Sequence, residues 1–264
     1  MKILLDAGHY AKYNQSNVYP QYYEGNMTWK LANYLKDYLE ENYVVRVDLT
    51  YDKLLTYEPG VYYRGRKASG YDAFYSLHSN ATSSSSVTRV VIIRNAYTSK
   101  YDSYCKELGD AIKNCMGIKE ATQVYYLKSN SGDEYYGVLR GAKSVGVGER
   151  YIIEHGFHTN KAVAKWLYSD ENLKKLAEVE AKIMAKHHKL EKKVSQSRLY
   201  IVRVTSESLN GRKGAGTNFD IECKLTKGTA VTIVDEKLVN GTRWLKTKSG
   251  YWISSKYTEF VRYV

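Results

Sequence analysis

Short apolar runs alternate with amphipathic segments through the first 190 residues, and this alternation does most to limit the possible folds. The runs are rich in β-branched and aromatic residues, as strands are, and cover residues 3–5, 44–49, 73–77, 90–93 and 151–153. Apolar residues recur at helical spacing in 26–41, 101–116 and 171–190. The pattern predicts an α/β domain with a mostly parallel, twisted sheet flanked by helices.

The helical spacing ends near residue 190. Residues 191–197 are short and polar, which predicts a linker. From 198 to 264, β-prone runs are separated by pairs typical of turns, namely Asn210-Gly211, Lys227-Gly228, Asn240-Gly241 and Ser249-Gly250. The sequence therefore predicts an α/β domain over 1–190 and a small all-β domain over 198–264.

The composition limits the classes of protein that fit. Lys and Arg number 40 against 28 Asp and Glu, and the net charge of +12 predicts attraction to an anionic polymer. Nucleic acid, anionic lipid and the anionic polymers of a bacterial wall all fit that charge. The three cysteines lack CxxC spacing, which argues against a disulfide framework and a cysteine zinc site.

The first residues do not resemble a signal peptide. Their apolar run is interrupted at Asp6, too early for the apolar core of such a segment. No stretch approaches the length of a membrane span. We therefore expect the protein to be made in the cytoplasm without a signal peptide and to act elsewhere only after release.

Side chains that bind metals or transfer protons occur where predicted strands end. His9, His78 and Glu154 each follow an apolar run, and Glu24 stands just before the first predicted helix. In open α/β sheets, ligands gather beyond the carboxyl ends of the strands, so these groups should converge on one edge. Two histidines and one glutamate would form an open zinc site that leaves a fourth position for water.

The sequence around these residues resembles a known family. The matching blocks are DAGH at 6–9, EGNMT at 24–28, Arg64 with Ala68, SLHSNA at 76–81 and EHGFHTN at 154–160. In this order they resemble the zinc-dependent N-acetylmuramoyl-L-alanine amidases of the amidase-3 type. The sequence departs from that pattern in two places: Tyr10 and Ala11 follow His9 where glycines are common, and Thr28 stands where asparagine is common.

The resemblance implies specific roles for the converging residues. His9, Glu24 and His78 would hold one zinc ion, and Glu154 would be the catalytic acid and base. Bound zinc lowers the pKa of its water and polarises the scissile carbonyl. The substrate would be bacterial peptidoglycan, cut between N-acetylmuramic acid and the L-alanine of the stem peptide.

Several other residues have two interpretations each. Asn80 would orient the substrate or a ligand, or would be a strand-end turn residue. Arg140 would pair with a carboxylate of the stem peptide, or would be an ordinary surface arginine. His158 would be structural or substrate-facing, and His187 and His188 are expected to be solvated at the end of a lysine-rich helix.

Residues 198–264 resemble a bacterial SH3-like domain, a small β-barrel. The matching runs are VRVT at 202–205, SLN at 208–210, GAGTNF at 214–219, KGTAV at 227–231, WLK at 244–246 and GYWISSKY at 250–257. The resemblance implies binding to the peptide parts of the wall. We expect Asn218 and Phe219 to lie near the ligand, and Trp252 and Tyr257 to be partly in the core.

Together these patterns predict an endolysin-type amidase from a phage or prophage that acts on the bacterial wall. A host autolysin is the alternative within the same chemistry. A non-catalytic wall-binding protein is the alternative from another class, although all four site residues are present. No nucleic-acid partner is expected, because such a partner explains the charge and none of the motif blocks.

Overall fold

The computed structural model describes residues 1–193, 199–239 and 241–264. It contains two compact units, Met1–Lys193 and Val194–Val264, called here the N-terminal and C-terminal units. Residues 191–193 of the predicted linker pair with the chain near Tyr43, whereas 194–197 and Asn240 lie outside the described residues. Among the described residues, no helix has both the length and the apolar character needed to cross a membrane.

The N-terminal unit alternates strands with helices, as its sequence predicts. Its strands are β1 (Lys2–Ala7), β2 (Arg46–Leu49), β3 (Ala73–Asn80), β4 (Val91–Arg94), β5 (Gln123–Tyr125) and β6 (Glu149–Phe157). Its helices are α1 (Glu24–Asn42), α2 (Val61–Arg66), α3 (Asp102–Met116), α4 (Gly137–Ser144), α5 (Lys161–Tyr168) and α6 (Asp170–His187). Sequence patterns missed β5, α2, α4 and α5, which are too short to show a clear period.

The six strands form one sheet in the order β2-β1-β3-β6-β4-β5. The pairs β1–β2, β1–β3 and β3–β6 are parallel, whereas β4 pairs antiparallel with β6. The sheet is therefore mixed, with β4 and β5 running against the other four strands. The predicted α/β class is confirmed, with this reversal at one side of the sheet.

Helices cover both faces of this sheet. The larger core joins the sheet to α1, α3 and α6, and the smaller core joins its other face to α4. Helix α2 packs against α4, where a Cβ on Gly65 would lie 1.9 Å from the Val138 carbonyl oxygen. Burial on both faces explains why the strands are continuous apolar runs rather than alternating ones.

Parallel pairing brings the ends of β1, β3 and β6 to one edge, called here the active edge. His78 of β3 is in register with Glu154 of β6. Just beyond β1, the Gly8 amide donates to the Leu77 carbonyl at 3.0 Å. A Cβ on Gly8 would lie 2.5 Å from that oxygen, so only glycine lets the two strands end this close together.

The C-terminal unit is an all-antiparallel β structure. Its strands are β7 (Tyr200–Val204), β8 (Ser208–Arg212), β9 (Ile221–Thr226), β10 (Ala230–Val239), β11 (Thr242–Thr247), β12 (Trp252–Ser254) and β13 (Thr258–Tyr263). They pair in the order β13-β7-β10-β11-β12-β8-β9 around a small apolar core. The all-β prediction is confirmed, and the closed SH3-like barrel stays a prediction.

One predicted turn in this unit is wrong. Asn210-Gly211 lies inside β8, where Gly211 pairs with Cys223 of β9. A Cβ on Gly211 would lie 2.5 Å from the Cys223 sulfur, so this glycine serves close packing between strands. By contrast, Gly228, Gly241 and Gly250 have positive φ, as turn glycines do.

Candidate active site

Three side chains predicted to bind a metal meet at the active edge. Ligand atoms of His9, Glu24 and His78 all lie within 4.8 Å of one another. His78 Nδ1 is 3.0 Å from Glu24 Oε1, and His9 Nε2 is 3.5 Å from Glu24 Oε2. The structure therefore brings together residues far apart in the sequence, as the strand-end argument predicts.

Glu24 is the first residue of α1 and is almost fully buried. Its Oε1 accepts a hydrogen bond from the Ser79 amide at 2.9 Å. The positive end of the helix dipole also favours a carboxylate there. Burial opposes ionisation of Glu24, but the imidazoles of His78 and His9 beside it outweigh burial and lower its pKa. Glu24 is therefore a fixed anion.

The loop after His9 connects β1 to α1, and it lacks the glycines that are common at this place in the amidases that the sequence resembles. His9, Lys12 and Asn14 all have positive φ, which makes the turns tight. The Asn14 side-chain amide donates to Glu24 Oε2 at 2.5 Å. Thr28, the other departure, donates from its hydroxyl to the Gly8 carbonyl at 2.6 Å. Thr28 therefore helps to fix the loop that carries His9.

A chain of hydrogen bonds fixes the tautomer of His78. Ser76 Oγ donates to Asp6 Oδ2 at 2.6 Å, and Asp6 is held in turn by the buried Arg64 guanidinium. Because the single hydroxyl proton of Ser76 is directed to Asp6, the His78 Nε2–H donates to Ser76 Oγ, 3.0 Å away. The Nδ1 lone pair of His78 therefore faces the Glu24 carboxylate.

This donor set fits a metal ion of the zinc type. A lone pair and a carboxylate oxygen 3.0 Å apart repel each other unless a cation lies beside both. Burial lowers the pKa of His78 more than the Glu24 carboxylate raises it, so this ring stays neutral. Ligands of a tetrahedral zinc ion lie roughly 3.3 Å apart, and the 3.0 and 3.5 Å separations bracket that value.

His9 is the more basic of the two histidines. Burial opposes its charge, but the Glu24 and Glu58 carboxylates, 3.5 and 3.6 Å from its ring nitrogens, outweigh burial and raise its pKa to about 9. A metal ion would have to displace that proton, so metal binding at this cluster releases a proton near neutral pH.

Glu154 lies in the C-terminal half of β6, in register with His78 of the cluster. Its Oε2 is buried and has no hydrogen-bond partner among residues 1–193 and the other described parts. Burial, and then the Glu24 carboxylate, raise the pKa of Glu154 to about 8. A carboxyl group of this kind can exchange protons near neutral pH, as a general acid and base must.

Glu58 is a site residue that sequence analysis missed. Its Oε2 lies 3.6 Å from His9 Nδ1, and its Oε1 accepts from Arg64 Nη1 at 2.9 Å. Arg64 therefore joins the partners of both histidines, Glu58 for His9 and Asp6 for the His78 chain. Arg64 belonged to a matching block, but Glu58 lies in a loop where no local pattern marks it.

Two other histidines are buried and make hydrogen bonds to β3 at the active edge. His155 is fully buried, with Nδ1 2.8 Å from the His78 carbonyl and Nε2 3.0 Å from Glu180 of α6. His158 is also buried, and its Nδ1 is 2.9 Å from Ser79 Oγ. Both rings are structural, so the substrate-facing alternative for His158 does not hold.

The residues predicted to contact substrate have local partners. Asn80 Oδ1 accepts from the Ala81 amide at 2.8 Å at the end of β3, which is the turn arrangement. Arg140 Nη1 donates to the carbonyls of Glu134 and Tyr135 at 2.8 and 2.7 Å and so shapes that loop. Contact of Asn80 or Arg140 with substrate stays a prediction.

Solved amidases share the fold of most of this chain. The catalytic domain of CwlV from Bacillus (Paenibacillus) polymyxa var. colistinus is 18% identical, with a TM-score of 0.58 over 72% of this chain and 99% of that one. The CwlD amidase of Clostridioides difficile, solved with the GerS lipoprotein, is 17% identical, with a TM-score of 0.59 over 71% and 98%. AmiC2 of Nostoc punctiforme is 19% identical, with a TM-score of 0.56 over 72% and 97%. These likenesses establish the fold.

The sequence itself identifies the family. A search of curated proteins finds no match. Residues 3–186, well over half of the chain, match the family described as N-acetylmuramoyl-L-alanine amidase. The matched range contains β2 to β6, all of β1 except Lys2, and every residue of the cluster at the active edge. The chain therefore belongs to the N-acetylmuramoyl-L-alanine amidase family of peptidoglycan hydrolases.

Proposed function

We propose that the protein is a zinc-dependent N-acetylmuramoyl-L-alanine amidase of the endolysin type. It cuts the amide between N-acetylmuramic acid and the L-alanine of the stem peptide. The observation that carries this proposal is the cluster of His9, Glu24 and His78 beside the unpartnered Glu154 carboxyl. One edge thus combines an open metal site with an acid–base group.

Different residues at this edge bind the metal and transfer the proton. His9, Glu24 and His78 would hold the zinc ion, which when bound polarises the scissile carbonyl and acidifies water. Glu154 accepts a proton from the attacking water and delivers it to the leaving nitrogen of L-alanine. Its raised pKa suits both steps, because the group must gain and lose a proton in each turnover.

The Arg64 network keeps the ligands in place for this chemistry. Arg64 fixes Asp6, Asp6 orients Ser76, and Ser76 holds the Nε2–H of His78. Partners of this kind fix a metal-binding histidine in one tautomer and one orientation. Asn80 and Arg140 remain candidates for contact with the glycan or peptide around the scissile bond.

The C-terminal unit is proposed to bind the wall as an SH3-like domain. It contains a cavity of about 380 Å³ lined by side chains that include Trp244, Tyr257, Lys256 and Arg212. An aromatic floor with cationic groups suits a peptide that carries carboxylates. Tyr257 lines this cavity, whereas Asn218 and Phe219 are not among its lining residues.

The biological setting is part of the same proposal. We propose that the enzyme is made in the cytoplasm and reaches peptidoglycan after release, as an endolysin does. The net charge of +12 supports attraction to a wall that contains anionic polymers. A host autolysin is the alternative. Expression inside a bacterium with and without a pore-forming protein separates the two, because an endolysin lyses the cell only when the pore is present.

Digestion of purified peptidoglycan tests the chemistry. Mass analysis should find free stem peptides and intact glycan, and a chelator should stop the reaction until zinc is restored. Cleavage within the peptide or within the glycan would contradict the proposed bond. Binding to walls from several species without any cleavage would indicate a wall-binding protein instead.

A further inference from the structure

A second group of metal-binding side chains lies at the far end of β6 from Glu154. It consists of Glu149, the first residue of β6, with His187 and His188 at the end of α6, and is called here the distal cluster. Its ligand atoms all lie within 4.8 Å of one another. His187 Nε2 is 2.8 Å from Glu149 Oε2, and His188 Nδ1 is 3.9 Å from the same oxygen.

The two rings of the distal cluster are held by tyrosines. His188 Nε2 is 2.7 Å from the Tyr75 hydroxyl, which is 2.9 Å from the Tyr104 hydroxyl. The His187 ring stacks on Tyr104, with 3.7 Å between the ring centroids. These contacts direct His188 Nδ1 and His187 Nε2 towards one carboxylate, so the groups are arranged before any ion arrives.

The surroundings of the distal cluster favour a cation that arrives from solvent. α6 ends at His187, so the negative end of an 18-residue helix faces the cluster. Glu149 adds a negative charge. The side chains of His187 and Glu149 are 21% and 23% exposed, whereas His188 is 4% exposed. An ion can therefore reach the cluster without any movement of the core.

We propose that Glu149, His187 and His188 form a second metal site for a first-row transition dication such as zinc. Two imidazoles and one carboxylate suit zinc, with water as the fourth ligand. Calcium and magnesium prefer sets made only of oxygen ligands. The ion would tie the end of α6 to the start of β6 and takes no part in hydrolysis.

Zinc stoichiometry of the full-length protein tests the site. After equilibrium dialysis against zinc and metal analysis, the wild type should hold about two ions per chain. Glu149→Gln and His187→Gln should each hold about one and keep peptidoglycan hydrolysis. Glu178→Gln, which removes an exposed α6 carboxylate paired with Lys182, is the matched control and should still hold about two.

A variant that lacks the metal site at the active edge allows zinc binding at the distal cluster to be measured independently. Glu24→Gln should hold about one ion, and added zinc should raise its Tm; the Glu24→Gln/Glu149→Gln double variant should show neither effect. One ion in the wild type with none in Glu24→Gln would overturn the proposal, as would two ions in a folded Glu149→Gln protein. One ion that is lost in Glu149→Gln but kept in Glu24→Gln would support the distal site and contradict the proposed active site.

Discussion

The active edge and the distal cluster each combine two histidines with one glutamate, yet their surroundings differ. At the active edge the ligands come from three distant segments, and Glu24 is 1% exposed. His9 lies against the Glu58 carboxylate, and His78 against a serine that is held by the Asp6 carboxylate. In the distal cluster the histidines are neighbours, the glutamate is 23% exposed, and the rings are backed by neutral tyrosines.

This difference shows that the type of ligand does not by itself determine what a metal site does. At the active edge, the buried Oε2 of Glu154 has no hydrogen-bond partner among the described residues. The Glu58 carboxylate beside His9 also makes that imidazole a stronger metal ligand than a neutral hydroxyl would. We therefore expect tight zinc binding and chemistry at the active edge, and weaker, structural binding at the distal cluster.

The largest expected effect is the loss of hydrolysis in Glu154→Gln. The amide cannot accept the proton of water, so the rate of peptidoglycan hydrolysis should fall by about 10²- to 10⁴-fold. Zinc content should stay at the wild-type value at both clusters, because Glu154 is not proposed to hold either ion. Near-normal activity in this variant would remove Glu154 from the mechanism.

A smaller effect is expected from Asp6→Asn, which removes the negative charge that orients Ser76 and, through Ser76, His78. Zinc affinity at the active edge should fall by about 10- to 100-fold, because the hydrogen-bond chain through Ser76 loses its anion. Arg64 would also be left buried without its main partner, at a cost of about 3–5 kcal/mol of folding free energy.

Zinc titration of Asp6→Asn in a competing chelator, with urea unfolding in parallel, measures both effects. Affinity at the distal cluster should not change in this variant, so that cluster serves as the internal control. Equal losses at both clusters would show a general effect on the fold rather than a role for Asp6 at one edge.

The buried pair of His155 and Glu180 should make stability depend on pH. Burial opposes the charge of His155, but Glu180 outweighs it and raises the pKa of the imidazole. A raised histidine pKa stabilises the fold below the unfolded value of about 6.5, and the gain is lost as pH rises through the folded value. Glu180→Gln should therefore cost about 2 kcal/mol at pH 6 and less at higher pH.

Urea unfolding of the wild type and Glu180→Gln at several pH values checks this dependence. Glu178→Gln on the same helix, whose glutamate is half exposed, should show little loss at any pH. A difference between the wild type and Glu180→Gln that grows with pH would contradict the assigned charge of His155.

The smallest expected effect comes from Tyr75→Phe in the distal cluster. The substitution removes the hydroxyl that fixes His188 Nε2 and keeps the ring. Loss of one neutral hydrogen bond is worth about 1 kcal/mol, so zinc affinity at the distal cluster should fall about fivefold. Affinity at the active edge should be unchanged, and a larger loss there would contradict the separation of the two clusters.

The active edge could be predicted from the sequence because parallel strands bring their ends together. His9, His78 and Glu154 follow apolar runs, and strand pairing alone places them at one edge. Glu24 was found at a helix start. Glu58 could not be found in this way, because its position depends on the path of a loop and on a buried arginine far along the chain.

The distal cluster could not be predicted, because helical spacing places neighbouring residues on different sides of a helix. His187 and His188 were expected to be solvated. They meet one carboxylate because α6 ends at His187, and His188 adopts a non-helical backbone conformation. Their burial against Tyr75 and Tyr104 depends on how α6 packs on the sheet, which a local pattern does not show.

The pairing of residues 191–193 with the end of α1 matters for engineering by module exchange. The Val44 amide donates to the Glu191 carbonyl and the Lys193 amide to the Asn42 carbonyl, both at 2.8 Å. A fusion junction placed at residue 190 would remove these bonds and expose the end of α1. Chimeric proteins that keep the N-terminal unit and replace the C-terminal unit should therefore retain the chain through Lys193.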